Sequence, residues 1–296
     1  MKKLMSKPQK TRTSLGLLTT SVLLANLAIV GSVAAKGVEA SLEQVTVVGK
    51  QLAGRETDVG KLSAALTEIP FSVSILTQDF FTATGVKTVQ DSLQYSAGVN
   101  GGPYGIDTRG DWATIRGVSA AEYKDGLKTL FGSYNNTRTD PYTLERVEIL
   151  KGPASVGYGQ SGTGGVINYV SKRPQAEAGG EIWAQAGTFD RQQLALDMTG
   201  PLDTDGEWLY RVVALKRDAG AQTDYVSDDS LVLAPSLSWR PSEATDITLL
   251  VNRQENSAGT STQFLPWNGT RLANPNGEID QSVFVSEPDW DRYDSE

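Results

Sequence analysis

The fold is decided by residues 140–156, which read Asp140-Pro141-Tyr142-Thr143-Leu144-Glu145-Arg146-Val147-Glu148-Ile149-Leu150-Lys151-Gly152-Pro153-Ala154-Ser155-Val156. The Asp-Pro-Tyr opening is typical of a turn or a helix start, because Asp accepts backbone hydrogen bonds and Pro has a fixed φ. Residues 147–150 have the pattern of a strand. The stretch therefore predicts a turn that leads into a strand.

Short predicted strands and helices flank this stretch. Val73 and Ile75 alternate with serines, which is the period of a strand with one buried face. Thr88 is a suitable N-cap for a following helix, and Gly98 is a suitable residue to end it. The other expected elements are a helix that starts at Thr77 or Asp79, a helix over 89–95, and strands over 113–118 and 166–171. We therefore predict an α+β domain over residues 63–175, with a short mixed sheet and short helices.

The hydrophobic period changes to two after Pro174. Leu194, Leu196 and Met198, for example, alternate with more polar residues along a strand of about ten residues. Such strands are typical of outer-membrane β-barrels, although a soluble β-sandwich shows a similar alternation. Residues 176–296 are long enough for about five or six tilted membrane strands, so we expect a partial barrel there.

Connections between these predicted strands alternate in length. Residues 201–206 and 240–245 are short turns, whereas residues 217–230 and the segment after Arg253 are longer. Short periplasmic turns at one end and long external loops at the other are typical of outer-membrane barrels.

Residues 1–35 have the composition of a secretory signal peptide. Five basic residues precede a mostly apolar stretch, and small residues follow it up to Ala34 and Ala35. We expect cleavage after one of these alanines, with an uncleaved membrane anchor as the alternative. Removing this segment changes the net charge from −8 to −13, because it contains no acidic residue. Such an acidic surface repels nucleic acid, so we expect no nucleic-acid partner.

The sequence contains no Cys and no His. This composition excludes disulfides, zinc sites built from Cys and His, haem ligated through His or Cys, and Ser-His-Asp catalysis. Asp and Glu pairs exist, but none stands in a recognisable catalytic motif. We predict that the protein is not an enzyme and holds no cofactor, and that any iron it handles arrives in a chelate.

Further motifs surround residues 140–156 in a fixed order. They are Ile69-Pro70, Asp91-Ser92-Leu93, Thr114-Ile115-Arg116-Gly117, Tyr158-Gly159, Gly164-Gly165-Val166-Ile167-Asn168 and Ser171-Lys172-Arg173-Pro174. Together they resemble the plug signature of TonB-dependent siderophore receptors, and the Asp-Pro-Tyr and Ser-Lys-Arg-Pro motifs are most similar to the ferric hydroxamate (ferrichrome-type) receptors. The resemblance implies an α+β plug domain followed by the first antiparallel strands of an incomplete 22-stranded outer-membrane β-barrel.

The resemblance also implies an energy-coupling segment before the plug. Residues 36–62 are polar, so we expect a flexible segment that contains the TonB box. Such a box is a mobile strand that adds to an exposed sheet edge of its periplasmic partner. The residues that resemble it are Glu43, Gln44, Val45, Thr46 and Val47.

Two loops of the plug are expected to face the ligand. We name residues 104–112 the first ligand loop and residues 131–136 the second ligand loop. A ferric trishydroxamate is compact and has polarised oxygens around the metal, which suits aromatic walls with an Arg donor. By resemblance, Arg109 and Tyr134 match ligand-contacting positions. The remaining candidates are Tyr104, Trp112 and Phe131, of which the last two could instead pack against their loops.

Two plug arginines, Arg116 and Arg146, match positions that the family pairs with barrel glutamates in a buried ionic lock. Ordinary solvated charges are the alternative.

We therefore predict an outer-membrane receptor that imports a ferric siderophore, with TonB and its inner-membrane motor proteins as partners and lipid around the barrel. The alternatives are uptake of a catecholate siderophore, cobalamin or a glycan, and a secreted β-sandwich enzyme. Asp107 and Asp111 beside Arg109 disfavour a triply anionic catecholate complex.

Overall fold

The computed structural model describes residues 57–59, 61–64, 72–105, 107–129, 137–153, 155–159 and 161–296. The predicted signal peptide, the predicted TonB box and the second ligand loop lie outside these residues. Within the part of the chain that is described, every helix is too short or too polar to traverse a bilayer.

A five-stranded mixed sheet is the centre of the first part of the described chain. The elements are, in chain order, β1 Thr57–Val59, β2 Leu62–Ala64, β3 Ser72–Thr77, α1 Gln78–Thr84, α2 Val89–Leu93, β4 Val99–Gly101, β5 Ala113–Ile115, β6 Val118–Ser119, β7 Ala121–Lys124, β8 Leu127–Lys128, a 3₁₀ turn Pro141–Thr143, β9 Leu144–Lys151, α3 Ser155–Tyr158 and β10 Gly165–Ser171. The central sheet has the order β3-β9-β10-β7-β8, with β10 and β7 parallel and its other neighbours antiparallel. We call this part of the chain, residues 57–174, the α+β domain.

Local capping starts its first two helices where the sequence predicted. The Thr77 hydroxyl accepts a hydrogen bond from the Phe80 backbone N–H at 3.3 Å, so α1 begins at the next residue. Thr88 and Asp91 form a capping box at the start of α2. This helix ends at Leu93, which is earlier than predicted.

The strand predicted over 113–118 is wrong. The chain forms two short strands, β5 and β6, because Arg116 and Gly117 between them have φ values of 53° and 79°. Two consecutive residues with positive φ make the tight turn that suits a two-residue hairpin. Arg116 therefore lies in an exposed turn rather than in a strand.

Strand β9 lies between β3 and β10, and it organises the core. Val147 and Ile149 are fully buried in one apolar cluster with residues of α1, α2 and β10. Burying side chains of this size contributes about 1.5–3 kcal/mol each. Glu148 on the same strand is also buried, where it accepts hydrogen bonds from Arg146 at 2.8 Å and Asn168 at 3.0 Å.

An antiparallel sheet follows the α+β domain. Its strands are β11 Gly179–Ala186, β12 Gln192–Pro201, β13 Trp208–Asp218, β14 Asp228–Ser242, β15 Thr245–Leu250, β16 Arg253–Ala258 and β17 Tyr293–Ser295. Both β15 and β16 pair with β14, so they form one strand that is interrupted at residues 251–252. Residues 202–207 and 243–244 connect strands at one end of the sheet, whereas residues 187–191, 219–227 and 259–292 connect them at the other, which we call the loop end.

The two faces of this sheet are inverted relative to a soluble protein. Leu194 is 59% exposed, whereas Asp197 on the same strand is only 5% exposed and contacts the α+β domain. The exposed apolar side chains of the other strands include Ile182, Leu231, Leu233, Ile247 and Leu249. A sandwich would bury its apolar face, so this arrangement favours barrel strands over a soluble sandwich.

Candidate functional site

The first ligand loop is held at its base by one buried glutamine. The Gln90 side chain donates a hydrogen bond to the Gly105 carbonyl at 2.9 Å and accepts one from the Trp112 backbone N–H at 3.2 Å. A backbone hydrogen bond of 2.8 Å also joins Gly102 to Trp112. A Cβ on Gly102 would collide with the Gln90 side chain, so the close approach needs glycine.

Arg109 is fixed within this loop by an acidic neighbour. Its Nε and Nη2 atoms donate to the two carboxylate oxygens of Asp107 at 3.0 and 2.7 Å. The Asp107 side chain is buried, whereas the Arg109 side chain is 20% exposed. This bidentate geometry orients the guanidinium and offsets its charge.

The structure also places two predicted aromatic residues together on the loop. Tyr104 and Trp112 pack edge to face, with ring centroids 5.9 Å apart. Tyr104 is largely exposed and Trp112 is half-buried. Tyr134 and Phe131, the other predicted ligand contacts, lie outside the described residues.

Sequence reasoning missed that the first ligand loop is bonded to the antiparallel sheet. The Thr108 hydroxyl donates to the Gly259 carbonyl at 2.5 Å, and the Thr108 backbone N–H donates to the Ser261 hydroxyl at 3.0 Å. Gly259 and Ser261 begin the long connection over 259–292. Because the bonded residues are about 150 positions apart, no local sequence pattern signals the contact.

A second missed contact lies behind the same loop. Arg138 Nε contacts Asp111 Oδ1 at 3.2 Å, and Arg138 Nη1 lies 3.6 Å from Asp228 Oδ1 on β14. Burial raises the pKa of Asp111, and the positive charge of Arg138 opposes that shift. Burial alone would lower the pKa of Arg138, but Asp111 and Asp228 outweigh it and the pKa rises.

Asp140 begins the predicted turn and also bonds that turn to the antiparallel sheet. Its Oδ1 atom accepts from the Tyr142 backbone N–H at 3.0 Å, which confirms its role in starting the 3₁₀ turn. Its Oδ2 atom pairs with Arg217 Nη1 of β13 at 2.6 Å, and Arg217 also donates to the Asp228 carbonyl at 2.9 Å.

A third ionic contact between the α+β domain and the sheet involves the Ser-Lys-Arg-Pro motif. Lys172 Nζ lies 2.7 Å from Asp197 Oδ2 and 4.2 Å from the centroid of the Tyr142 ring. Arg211 contacts the same carboxylate at 2.7 Å. Burial lowers the pKa of Lys172, and the hydrogen bond to Asp197 opposes that shift.

The predicted lock arginines have other surroundings in the described chain. Arg146 contacts Glu148 at 2.8 Å and Glu145 at 3.6 Å, both on its own strand. Arg116 makes no ion pair within the ranges that the structure describes. Their pairing with barrel glutamates stays a prediction.

The architecture and the ionic contacts define the class: a plug domain held against an antiparallel sheet with an apolar outer face. The family model described as TonB-dependent Receptor Plug Domain matches residues 65–166. The chain thus carries the plug domain of the TonB-dependent receptors, which confirms the resemblance stated from the sequence. From here we call the α+β domain the plug.

Similar proteins support this assignment. The chain is 35% identical over 240 residues to a ferrioxamine B receptor of Salmonella typhimurium, covering 79% of this chain and 34% of that protein. It is 36% identical over 233 residues to a ferrichrome outer membrane transporter/phage receptor of Escherichia coli K12, covering 77% and 31%. The chain thus spans about a third of these relatives.

A solved structure shows the same fold. The ferripyoverdine receptor of the Pseudomonas aeruginosa outer membrane, bound to ferripyoverdine, superposes with a TM-score of 0.67 at 24% identity. The superposition covers 76% of this chain and 31% of that receptor. The predicted fold class, a plug followed by antiparallel barrel strands, is confirmed.

Proposed function

We propose that the full-length protein imports a ferric hydroxamate siderophore across the bacterial outer membrane, with energy supplied through TonB. The observation that carries this proposal is the first ligand loop, where Arg109 is fixed by Asp107 on the same loop as the Tyr104–Trp112 pair. The similarity to ferrioxamine and ferrichrome receptors gives independent support.

The charge of the loop favours a hydroxamate over a catecholate. Three hydroxamates neutralise ferric iron, whereas three catecholates leave three negative charges on the complex. Asp107 orients the guanidinium of Arg109 and offsets its charge, so the loop has no strong positive field. Tyr104 and Trp112 add apolar contact area for a compact chelate.

Import follows in three steps. The chelate binds Arg109 and the aromatic residues of the ligand loops, including Tyr134 and Phe131. Binding releases the TonB box, Glu43 to Val47, which adds as a strand to TonB. TonB and its inner-membrane motor proteins then remodel the plug. Iron travels as the ferric siderophore throughout, so the protein needs no cofactor and performs no covalent chemistry.

Localisation belongs to the same proposal. The signal peptide, residues 1–35, directs export and is cleaved, and the apolar outer face of the antiparallel sheet contacts outer-membrane lipid. Fractionation of cells tests this step: recovery of the gene product in the culture supernatant would contradict it.

Ligand binding is tested by quenching of tryptophan fluorescence in the gene product purified from outer membranes. The titrants are ferrioxamine B, ferrichrome and a ferric tricatecholate. We expect saturable binding of a hydroxamate complex, weakened at least about tenfold by Arg109→Gln. The matched control is Arg240→Gln, which removes an exposed pair with Asp246 near the opposite end of the sheet. Equal affinity for the tricatecholate would refute the hydroxamate preference.

Energy coupling is tested by uptake of radiolabelled iron in cells. Val45→Pro removes a backbone N–H that strand addition uses, so uptake should stop while ligand binding is retained. Uptake that continues in cells lacking TonB would refute this step.

A further inference from the structure

We propose that Arg138 is a positioning residue for ligand recognition: it fixes the first ligand loop of the plug to strand β14 of the sheet. This inference rests on the proposed function, because its readout is siderophore affinity. Its structural basis is a cluster of Asp111, Arg138 and Asp228, which we call the Arg138 cluster.

The plug side of the cluster holds the end of the first ligand loop. Asp111 lies two residues after Arg109 and directly before Trp112, and its Oδ1 atom contacts Arg138 Nε at 3.2 Å. The same oxygen accepts a hydrogen bond from the Gln90 backbone N–H at 3.4 Å. Movement of Asp111 would therefore displace both neighbouring ligand candidates.

The sheet side of the cluster holds Arg138 through its side chain and its backbone. Arg138 Nη1 lies 3.6 Å from Asp228 Oδ1, and the Arg138 carbonyl accepts from Gln254 Nε2 at 2.5 Å and Asn256 Nδ2 at 3.3 Å. Gln254 and Asn256 belong to β16. Arg138 thus contacts two adjacent strands of the sheet and the ligand loop at once.

A guanidinium is suited to this task. Arg stays protonated in proteins, and its planar fork contacts two carboxylates in fixed directions. The Arg138 and Asp111 side chains are both 8% exposed, so solvent screens their contact little. If Arg138 merely compensated buried negative charge, any neutralisation of Asp111 would serve as well.

The test compares ferrioxamine B affinity of variants of the gene product in detergent. Arg138→Met should raise the Kd about tenfold or more. Asp111→Asn breaks the same contact from the other side but leaves Arg138 paired with Asp228, so folding is spared and the Kd should rise similarly. The double variant should be no weaker than the weaker single variant, because both changes remove one contact.

The matched control is Lys172→Met. It breaks another buried pair between plug and sheet, Lys172–Asp197. Asp197 lies about four residues, or about 13 Å, along the strands from the level of Arg217, which contacts Asp228 of the Arg138 cluster. This variant should lose stability yet keep the Kd within about twofold.

Each outcome decides the proposal. Three results would overturn the positioning role. They are an unchanged Kd in Asp111→Asn, equal losses of affinity in Arg138→Met and Lys172→Met, or recovery of affinity in the double variant. If the unsubstituted protein binds no ferric hydroxamate, the proposed function has failed instead.

Discussion

Replacing Arg217 should loosen the plug within the sheet. The Arg217–Asp140 pair joins plug and sheet at 2.6 Å, and its side chains are 7% and 6% exposed. Arg217→Met leaves the Asp140 carboxylate buried without this partner, which costs about 3–5 kcal/mol. Asp140→Asn keeps an acceptor for the Tyr142 N–H, and Arg217 keeps Asp228, so we expect a smaller cost of about 1–2 kcal/mol.

A double-mutant cycle isolates the contact itself. With both substitutions the loss should be about 1–3 kcal/mol less than the sum of the single losses. The assay is hydrogen exchange, measured by mass spectrometry, of the β9 peptide over a urea series in the detergent-purified gene product. β9 starts four residues after Asp140, so its amides report plug opening.

The exposed pair of Arg240 and Asp246 supplies the control. Arg240→Met should change the opening free energy by no more than about 0.5 kcal/mol. If the losses of the Arg217 and Asp140 variants add within about 0.5 kcal/mol, the two side chains are not coupled and the reasoning fails.

Three further changes probe other parts of the plug. Burial, and secondarily the charge of Asp111, raises the pKa of Glu122 from 4.5 to about 7, so its folded form retains a proton that the unfolded chain releases. Plug stability should therefore fall by up to about 3 kcal/mol as the pH rises from about 4.5 through 7. Glu122→Gln should flatten this pH dependence in urea unfolding. An identical pH dependence in the variant would contradict the role of Glu122. Gly165→Ala should destabilise the plug by about 2–4 kcal/mol, because φ is +145° and a Cβ would meet the Leu150 carbonyl. Gly179→Ala, at an open position, is the control in the same unfolding assay. Equal effects of the two substitutions would refute the steric argument. Thr108→Val removes the hydrogen bond to Gly259, so amides at 259–261 should exchange roughly five times faster, and unchanged exchange would show that the bond is not needed there.

The local structure of the plug was accessible from the sequence. Thr77 and Thr88 cap helices because each hydroxyl stands before a run that can turn helical, and this signal is read over a few residues. The pattern over residues 147–150 likewise predicted the strand that β9 forms. The hairpin at Arg116 was missed, although Ile115 and Val118 are three residues apart and therefore break the period of two that a single strand requires.

The contacts between plug and sheet were not accessible in this way. Arg138 and Asp228, or Asp140 and Arg217, are ordinary charged residues in sequence, and only the tertiary fold brings them together. The polar face of the antiparallel strands was visible, but its alternation was equally compatible with a solvated face. Its burial against the plug shows that those polar residues are interior.

The chemistry of this interface suits the plug remodelling that the proposed function requires. Within the described chain, one apolar patch centred on Tyr142 packs against the sheet, while the other described anchors include the ion pairs of Arg138, Asp140 and Lys172. The attraction of a buried ion pair is largely cancelled by the desolvation of its charges, so such pairs fix geometry with little net adhesion. The plug core is apolar and strongly cohesive by comparison. Under the import mechanism proposed above, a pull on the plug would therefore meet weaker net resistance at these plug–sheet contacts than inside the plug core. Once one partner of a pair moves, the stranded charge gains hydration, which favours further separation.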